Sequence, residues 1–176
     1  MKISQMNTEH VSQVIAIDRQ CYKSPMSRKT LDSTIRKARG GLMHAVVAIE
    51  GDEVVGYLIA EINSPDIQIL SIGVQESSRR KGVGTKLVSY IFDLLRDHKC
   101  IGVNANVEEH KLEAHFFFSS QGFLAARTLT IGDKDAYRFR YTVPFDNLSD
   151  MHIRAIAENS LAKRLVKAEE DDALDE

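Results

Sequence analysis

The stretch Arg79-Arg80-Lys81-Gly82-Val83-Gly84-Thr85 sets two glycines one residue apart behind three cations. Glycine lets main-chain amides approach a bound group closely. The run "DIQILSIGV" before it reads as a strand, and "TKLVSYIFDLLRDH" after it carries Leu87, Ile91, Leu94 and Leu95 at helical spacing. A strand-to-helix junction of this kind exposes unpaired N–H groups at the positive end of a helix dipole, a seat for phosphate. Two commoner glycine motifs are excluded. A dinucleotide fingerprint needs a third glycine where Leu87 stands, and no Gly-Lys-Ser/Thr follows at P-loop spacing. A plain connecting turn has the same spacing, so the glycines alone leave that alternative open.

Other reactive residues are sparse. Cys21 and Cys100 are far apart and form no CxxC pair, so neither a metal site nor a disulfide framework is expected. Two ordinary thiols and the polar start "MKISQMNTEH" point to a cytoplasmic protein without a secretory leader. The net charge of −2 argues against nucleic acid as a partner. No apolar run approaches the about 20 residues of a membrane span.

The elements that must position the glycine loop follow from periodicity. Residues 2–5 suit a short strand. Asn7 or Thr8 can cap a helix bearing Val11, Val14 and Ile15, and Ser27 a second helix that ends at Gly40-Gly41. "HAVVAIE" and "EVVGYLIAEI", split by Gly51-Asp52, read as a hairpin. After the loop come a helix, the strand "CIGVNANV", and a helix closing at Gly122. A last hairpin turns about Gly132-Asp133. Ile153, Ile156, Ala157, Leu161 and Leu165 then form the apolar stripe of a C-terminal helix with an acidic tail. The order predicts a mixed α/β sheet of 1–143 with a helical extension over 144–176.

Four of these segments occur in an order that resembles the GNAT acetyltransferase superfamily. They are the strand ending "SIGV", the loop fitting Gln/Arg-x-x-Gly-x-Gly/Ala, the hairpin "GDEVVGYLIAEI" and the late helix "EAHFFFSSQGF". "IDRQCYKSPMSRKTL" is similar to the opening of enzymes that acetylate protein N-termini, including the ribosomal-protein type, though Met26 stands where those usually carry an aromatic. The resemblance implies a mostly antiparallel sheet, flanked by helices and splayed at a slot for acetyl-CoA. It implies that amides from Arg80 through Lys81, Gly82, Val83 and Gly84 to Thr85 hold the pyrophosphate. Arg79, Arg80, Lys81 and Lys86 would meet the 3′-phosphate. Ile72, Gly73 and Val74 would line the pantetheine arm, with an N–H near Ile72 polarising the thioester carbonyl, and Phe118 would face the slot.

The chain departs from that pattern where protons move. The place of the family's tyrosine acid is Phe118, of its helix-starting asparagine Lys111, and of the glutamate base of the histone-modifying branch Gln68. Neither Phe118 nor Gln68 transfers a proton in the expected way. Replacement candidates are Asp66, on the strand face of Gln68, and Glu108 at the end of the next strand. Asn106 can orient a water, Tyr137 and Tyr141 lie on the last hairpin near where substrate enters, and His110 and His115 flank the late helix. The resemblance therefore implies acetyl transfer to an amine, either a protein N-terminus or a small amine. A CoA-binding regulatory module with little turnover remains the competing reading. The C-terminal stripe must bury on the domain's own sheet or against a second copy in a homodimer.

Overall fold

A computed structural model of the protein describes residues 1–41 and 43–144. The elements run β1 (Lys2–Gln5), α1 (Val11–Cys21), α2 (Arg28–Ala38), β2 (Met43–Glu50), β3 (Glu53–Asn63), β4 (Asp66–Val74), α3 (Val83–Asp97), β5 (Gly102–Glu108), α4 (Leu112–Ser120), β6 (Leu124–Ile131) and β7 (Lys134–Thr142). This is the order that periodicity predicts through β7. The C-terminal helix and its stripe lie outside the described residues. No helix among the described residues is long and apolar enough to cross a membrane.

The seven strands form one sheet in the order β1-β2-β3-β4-β5-β7-β6, antiparallel except at β4–β5. Helices cover both faces of its centre. Met6, Val11, Val14, Ile17, Leu31 and Ile35 pack with Tyr57 on one face. Leu87, Val88, Ile91, Leu94 and Leu95 of α3 fill the other against Val46, Leu58 and Val103. Strand β3 is therefore buried on both sides, and its run of apolar residues lacks alternation for that reason. Gly56 permits the close approach of α3, since a Cβ there would stand 2.9 Å from Val83 Cγ1.

The hinges of the chain match their residue types. Ser27 accepts the Thr30 amide at 3.1 Å and caps α2. The α1 cap differs from expectation: His10 occupies it, and Asn7 instead closes the preceding turn by accepting the Glu9 amide at 3.0 Å.

Two features shape the centre of the sheet. Strand β4 carries a bulge: Ile59 faces Ser71 and Ala60 faces Ile69, which leaves Leu70 without an opposite and half exposed. Beyond it, β4 and β5 part. Their parallel pairing covers only Asp66–Ile69 against Gly102–Ala105, while β4 continues to Val74 and β5 to Glu108.

Candidate active site

The parting of β4 from β5 opens a cleft of about 900 Å³, within the range of small-ligand sites. One wall is Ile69–Val74 of β4 and the other Asn106–Glu108 of β5. It is bordered by Arg79 and Gly84 of the α3 loop, by Arg19–Ser24 at the end of α1 and just past it, which Arg79 touches, and by Ile131 and Lys134 of the last hairpin. Five basic side chains line it (Arg19, Lys23, Arg79, Lys111 and Lys134) against two carboxylates, Glu108 and Glu113, so it favours an anionic occupant.

The loop is built for an anion. Arg80 and Gly82 take left-handed φ of 61° and 81°, turning successive amides outward. Gly82 caps α3 with no side-chain hydrogen bond, and Lys86 is the first residue whose amide bonds back to it, at 3.0 Å. The amides of Val83, Gly84 and Thr85 are thus the unsatisfied donors of a helix of 15 residues. Nothing lies within 4 Å of where a Gly82 Cβ would be. Gly84 is closed on one side by Phe117, whose ring carbon would be 3.0 Å from an added Cβ. The residues present fit a pyrophosphate.

The open edge of β4 fits an extended amide chain. Ile72 O accepts the Tyr22 hydroxyl at 3.0 Å, and Val74 O is approached by Arg79 Nε at 3.4 Å and Cys21 Sγ at 3.7 Å. These carbonyls face away from β3. In a strand a residue's N–H and C=O point to the same side, so the N–H groups of Ile72 and Val74 face the cleft too. Gly73, buried between them, has its ladder groups toward β3, and a Cβ on it would meet Tyr57 Cε1 at 2.5 Å.

The remaining candidates divide. Arg79 bends inward, its guanidinium 3.4 Å from Gln20 O and 3.8 Å from the Glu113 carboxylate, tying α1, β4 and α4 at the mouth. Arg80, Lys81 and Thr85 are exposed beside the loop. Lys86 points away, donating to Met1 O at 2.9 Å. Asn106 and Glu108 line the cleft; Asn106 accepts Arg138 Nε at 3.1 Å, and Glu108 accepts Lys134 Nζ at 3.1 Å. That bond, outweighing partial burial and helped by the charges of Lys134, Lys111 and His110, holds the Glu108 carboxyl below its ordinary value. A depressed carboxylate is a weak proton acceptor, so Glu108 suits charge placement better than base catalysis.

Asp66 and Tyr137 stand apart from the cleft, while Phe118 is among the residues that line it. Asp66 sits at the closed end of β4, four residues before the bulge, where Arg140 grips both its oxygens at 2.7 and 2.9 Å and Asn104 adds a third bond at 3.2 Å. It does not line the cleft. Tyr137 packs edge-on against His115 at 5.5 Å and is likewise outside it. Phe118 is 3% exposed, stacks on Phe139 and meets Phe123 edge-on, so it joins the core to the cleft wall. The phenylalanine against the glycine loop is its neighbour Phe117, while Phe116 is exposed. Tyr141 stacks on Phe92, and His115 binds Glu108 O at 3.0 Å.

Sequence reasoning missed a polar cluster on the α1 side. Tyr22 lies under the Lys111 ammonium, 4.0 Å from ring centre to Nζ, and Lys111 also donates to Cys21 O at 2.8 Å. Lys111 therefore clasps α4 to the end of α1 instead of capping its own helix. Behind Tyr22, Ser71 stands 2.9 Å from the Tyr57 hydroxyl, which in turn donates to buried Asp18. Burial above all pushes the phenols of Tyr22 and Tyr57 up, so both keep their protons. One signal was legible: Asp18 falls on the same face of α1 as Val11 and Val14, an acid in an apolar stripe.

A mixed sheet that parts between two parallel strands beside an uncapped helix start defines the acetyltransferase fold. The acetyltransferase (GNAT) family model matches residues 11–123, well over half of the chain, and the chain belongs to that family. Among solved structures it is similar to the Ard1 protein of Thermoplasma volcanium, at 22% identity and a TM-score of 0.73, over 81% of this chain and 97% of that one. It is similar to the ribosomal-protein alanine N-acetyltransferase of Escherichia coli, at 19% identity and TM-score 0.68, over 84% and 98%. The PaiA N-acetyltransferase of Thermoplasma acidophilum, solved with coenzyme A, aligns at 13% identity and TM-score 0.71, over 81% and 98%. At these identities the likeness is one of fold. No curated protein matches the chain.

Proposed function

We propose that this chain moves an acetyl group from acetyl-CoA directly to a primary amine, with a protein N-terminus as the favoured acceptor. The observation that carries the reading is the continuous cleft from the bare amides of Val83–Thr85 to the open edge of β4. Acetyl-CoA supplies an activated acetyl carbonyl when bound. Amides of the α3 start hold phosphate oxygens, Arg79 adds charge at the mouth, and the Ile72 and Val74 N–H groups bind amide carbonyls along β4. An Ile72 N–H so aimed also stabilises negative charge growing on a carbonyl oxygen. The amine nitrogen gains the acetyl carbon and loses one proton to water in the cleft; the C–S bond breaks and the leaving thiolate takes a proton from water.

The acceptor side supports a peptide. Arg19–Ser24 and the hairpin residues Ile131 and Lys134 form two banks of an open groove. One similar structure, moreover, is named for acetylating a ribosomal protein alanine. The test is mass spectrometry of a peptide panel and a small-amine panel incubated with acetyl-CoA. Products acetylated at the peptide α-amine are expected. Products only among small amines would replace the acceptor; CoA binding by calorimetry with no product in either panel would favour a regulatory module.

A further inference from the structure

We infer that Ser71 and Tyr22 form the seat of the acceptor nitrogen, and that buried Asp18 and Tyr57 act as positioning residues by fixing which way the Ser71 proton points. The inference rests on the acetyl-transfer reading above and names the groups that hold its amine.

Asp18 is 1% exposed and accepts on both oxygens: from the Met26 amide at 2.5 Å on Oδ2, and from the Tyr57 hydroxyl on Oδ1. Tyr57, fully buried, has one proton, and Asp18 takes it. The 2.9 Å contact between Tyr57 Oη and Ser71 Oγ still needs a proton between them, and only Ser71 can supply it. Ser71 thus turns its proton inward and leaves lone pairs for the cleft it lines. Tyr22 belongs to the same network: its proton lies on Ile72 O and its oxygen neighbours Ser71, so the two hydroxyls stand together at the cleft they line, both as acceptors. The Lys111 clasp holds the Tyr22 ring in that pose.

Two oxygens with no proton left to donate select a donor. They stand on or against β4 directly after the Leu70 bulge, where no strand pairs with the edge that faces away from β3. An amine N–H meets that requirement. As nitrogen bonds to the acetyl carbon it becomes positive, and its hydrogen bonds to Ser71 and Tyr22 strengthen, which stabilises the transition state more than the bound reactant.

The test uses the full chain, its Ser71→Ala, Tyr57→Phe and double variants, and Ser71→Thr as the conservative replacement. Loss of one bond to a charged nitrogen predicts a fall in kcat/KM of about tenfold to a hundredfold for Ser71→Ala, mostly in kcat. Calorimetric CoA affinity stays within about twofold, since the phosphate loop is untouched, and Ser71→Thr restores most of the rate. Tyr57→Phe alone lowers kcat/KM, but adds nothing in the Ser71→Ala background; any general loosening of the core would act in both backgrounds and show as an additive drop. An additive drop, or a Ser71→Ala variant as fast as the parent, overturns the inference while leaving acetyl transfer standing. A parent chain that acetylates no amine overturns both.

Discussion

Replacing Gly82 by aspartate tests the anion seat most directly. The structure separates two costs. The first is conformational: at φ 81° a side chain is strained, by about 1–2 kcal/mol, which lowers Tm by about 2–8 °C in a chain of this size. Gly82→Ala carries that cost alone. The second is charge. Nothing lies within 4 Å of the new Cβ, so the carboxylate projects into the space assigned to pyrophosphate. At about 5 Å, one pair of like charges repels by about 0.8 kcal/mol in water and about 3 kcal/mol at an effective dielectric of about 20. Two phosphate charges double this, to about 1.6 kcal/mol at the least, which weakens CoA binding by about fifteenfold or more. Calorimetric titration with CoA should therefore show a modest loss for Gly82→Ala and a far larger one for Gly82→Asp, with part of the difference recovered at high salt. Equal affinities for the two variants would refute the placement of an anion at this loop.

Three further outcomes follow from the packing. Asp66→Asn should keep kcat/KM within about twofold while lowering stability by about 1–3 kcal/mol, because the half-buried Arg140 loses its charged partner; lost turnover at unchanged Tm would return Asp66 to the chemistry. Gly73→Ala drives a methyl into Tyr57, 2.5 Å away, and should shift the denaturant midpoint down by an overpacking cost of about 1–3 kcal/mol; an unmoved midpoint would contradict that contact. Burial first, and then the charge of His98, push the His44 imidazole down from its ordinary 6.5. The unfolded chain then binds a proton the folded one refuses, so stability falls as pH drops below about 6.5 toward the folded value. His44→Phe should flatten that acid limb in thermal scans from pH 8 to 5, and an unaltered limb would exonerate His44.

The element order was readable because helices and strands leave different periods, and the turns at Gly51, Gly122 and Gly132 all take positive φ. The phosphate loop was readable because glycine spacing at a strand–helix junction is local. What was not legible was which end of a strand stays paired and which way some of its side chains turn. Asp66 shares a strand face with Gln68, but parity says nothing about which end of β4 stays paired, and Arg140 lies 74 residues away. Tyr137 was near the acceptor side by topology, yet its ring turned onto His115. Three successive phenylalanines on α4 cannot be sorted without knowing where α3 starts; the structure gives the core to Phe118 and the loop to Phe117. The cluster of Asp18, Tyr57, Ser71 and Tyr22 draws on three segments, and only Asp18 left a mark, as an acid at apolar spacing.

The seam between β4 and β5 divides more than the sheet. Everything on one side comes from residues 2–97, and the strands and helix on the other from 102–142. During synthesis the length bearing the glycine turn emerges first, with only one bank of the channel; the opposite bank arrives with the last quarter of the domain. Any reactant lodged between them is gripped by both lengths of polypeptide at once. Occupancy therefore acts as a brace across a join whose strand ladder holds four residue pairs, and adding CoA should protect the protein from proteases.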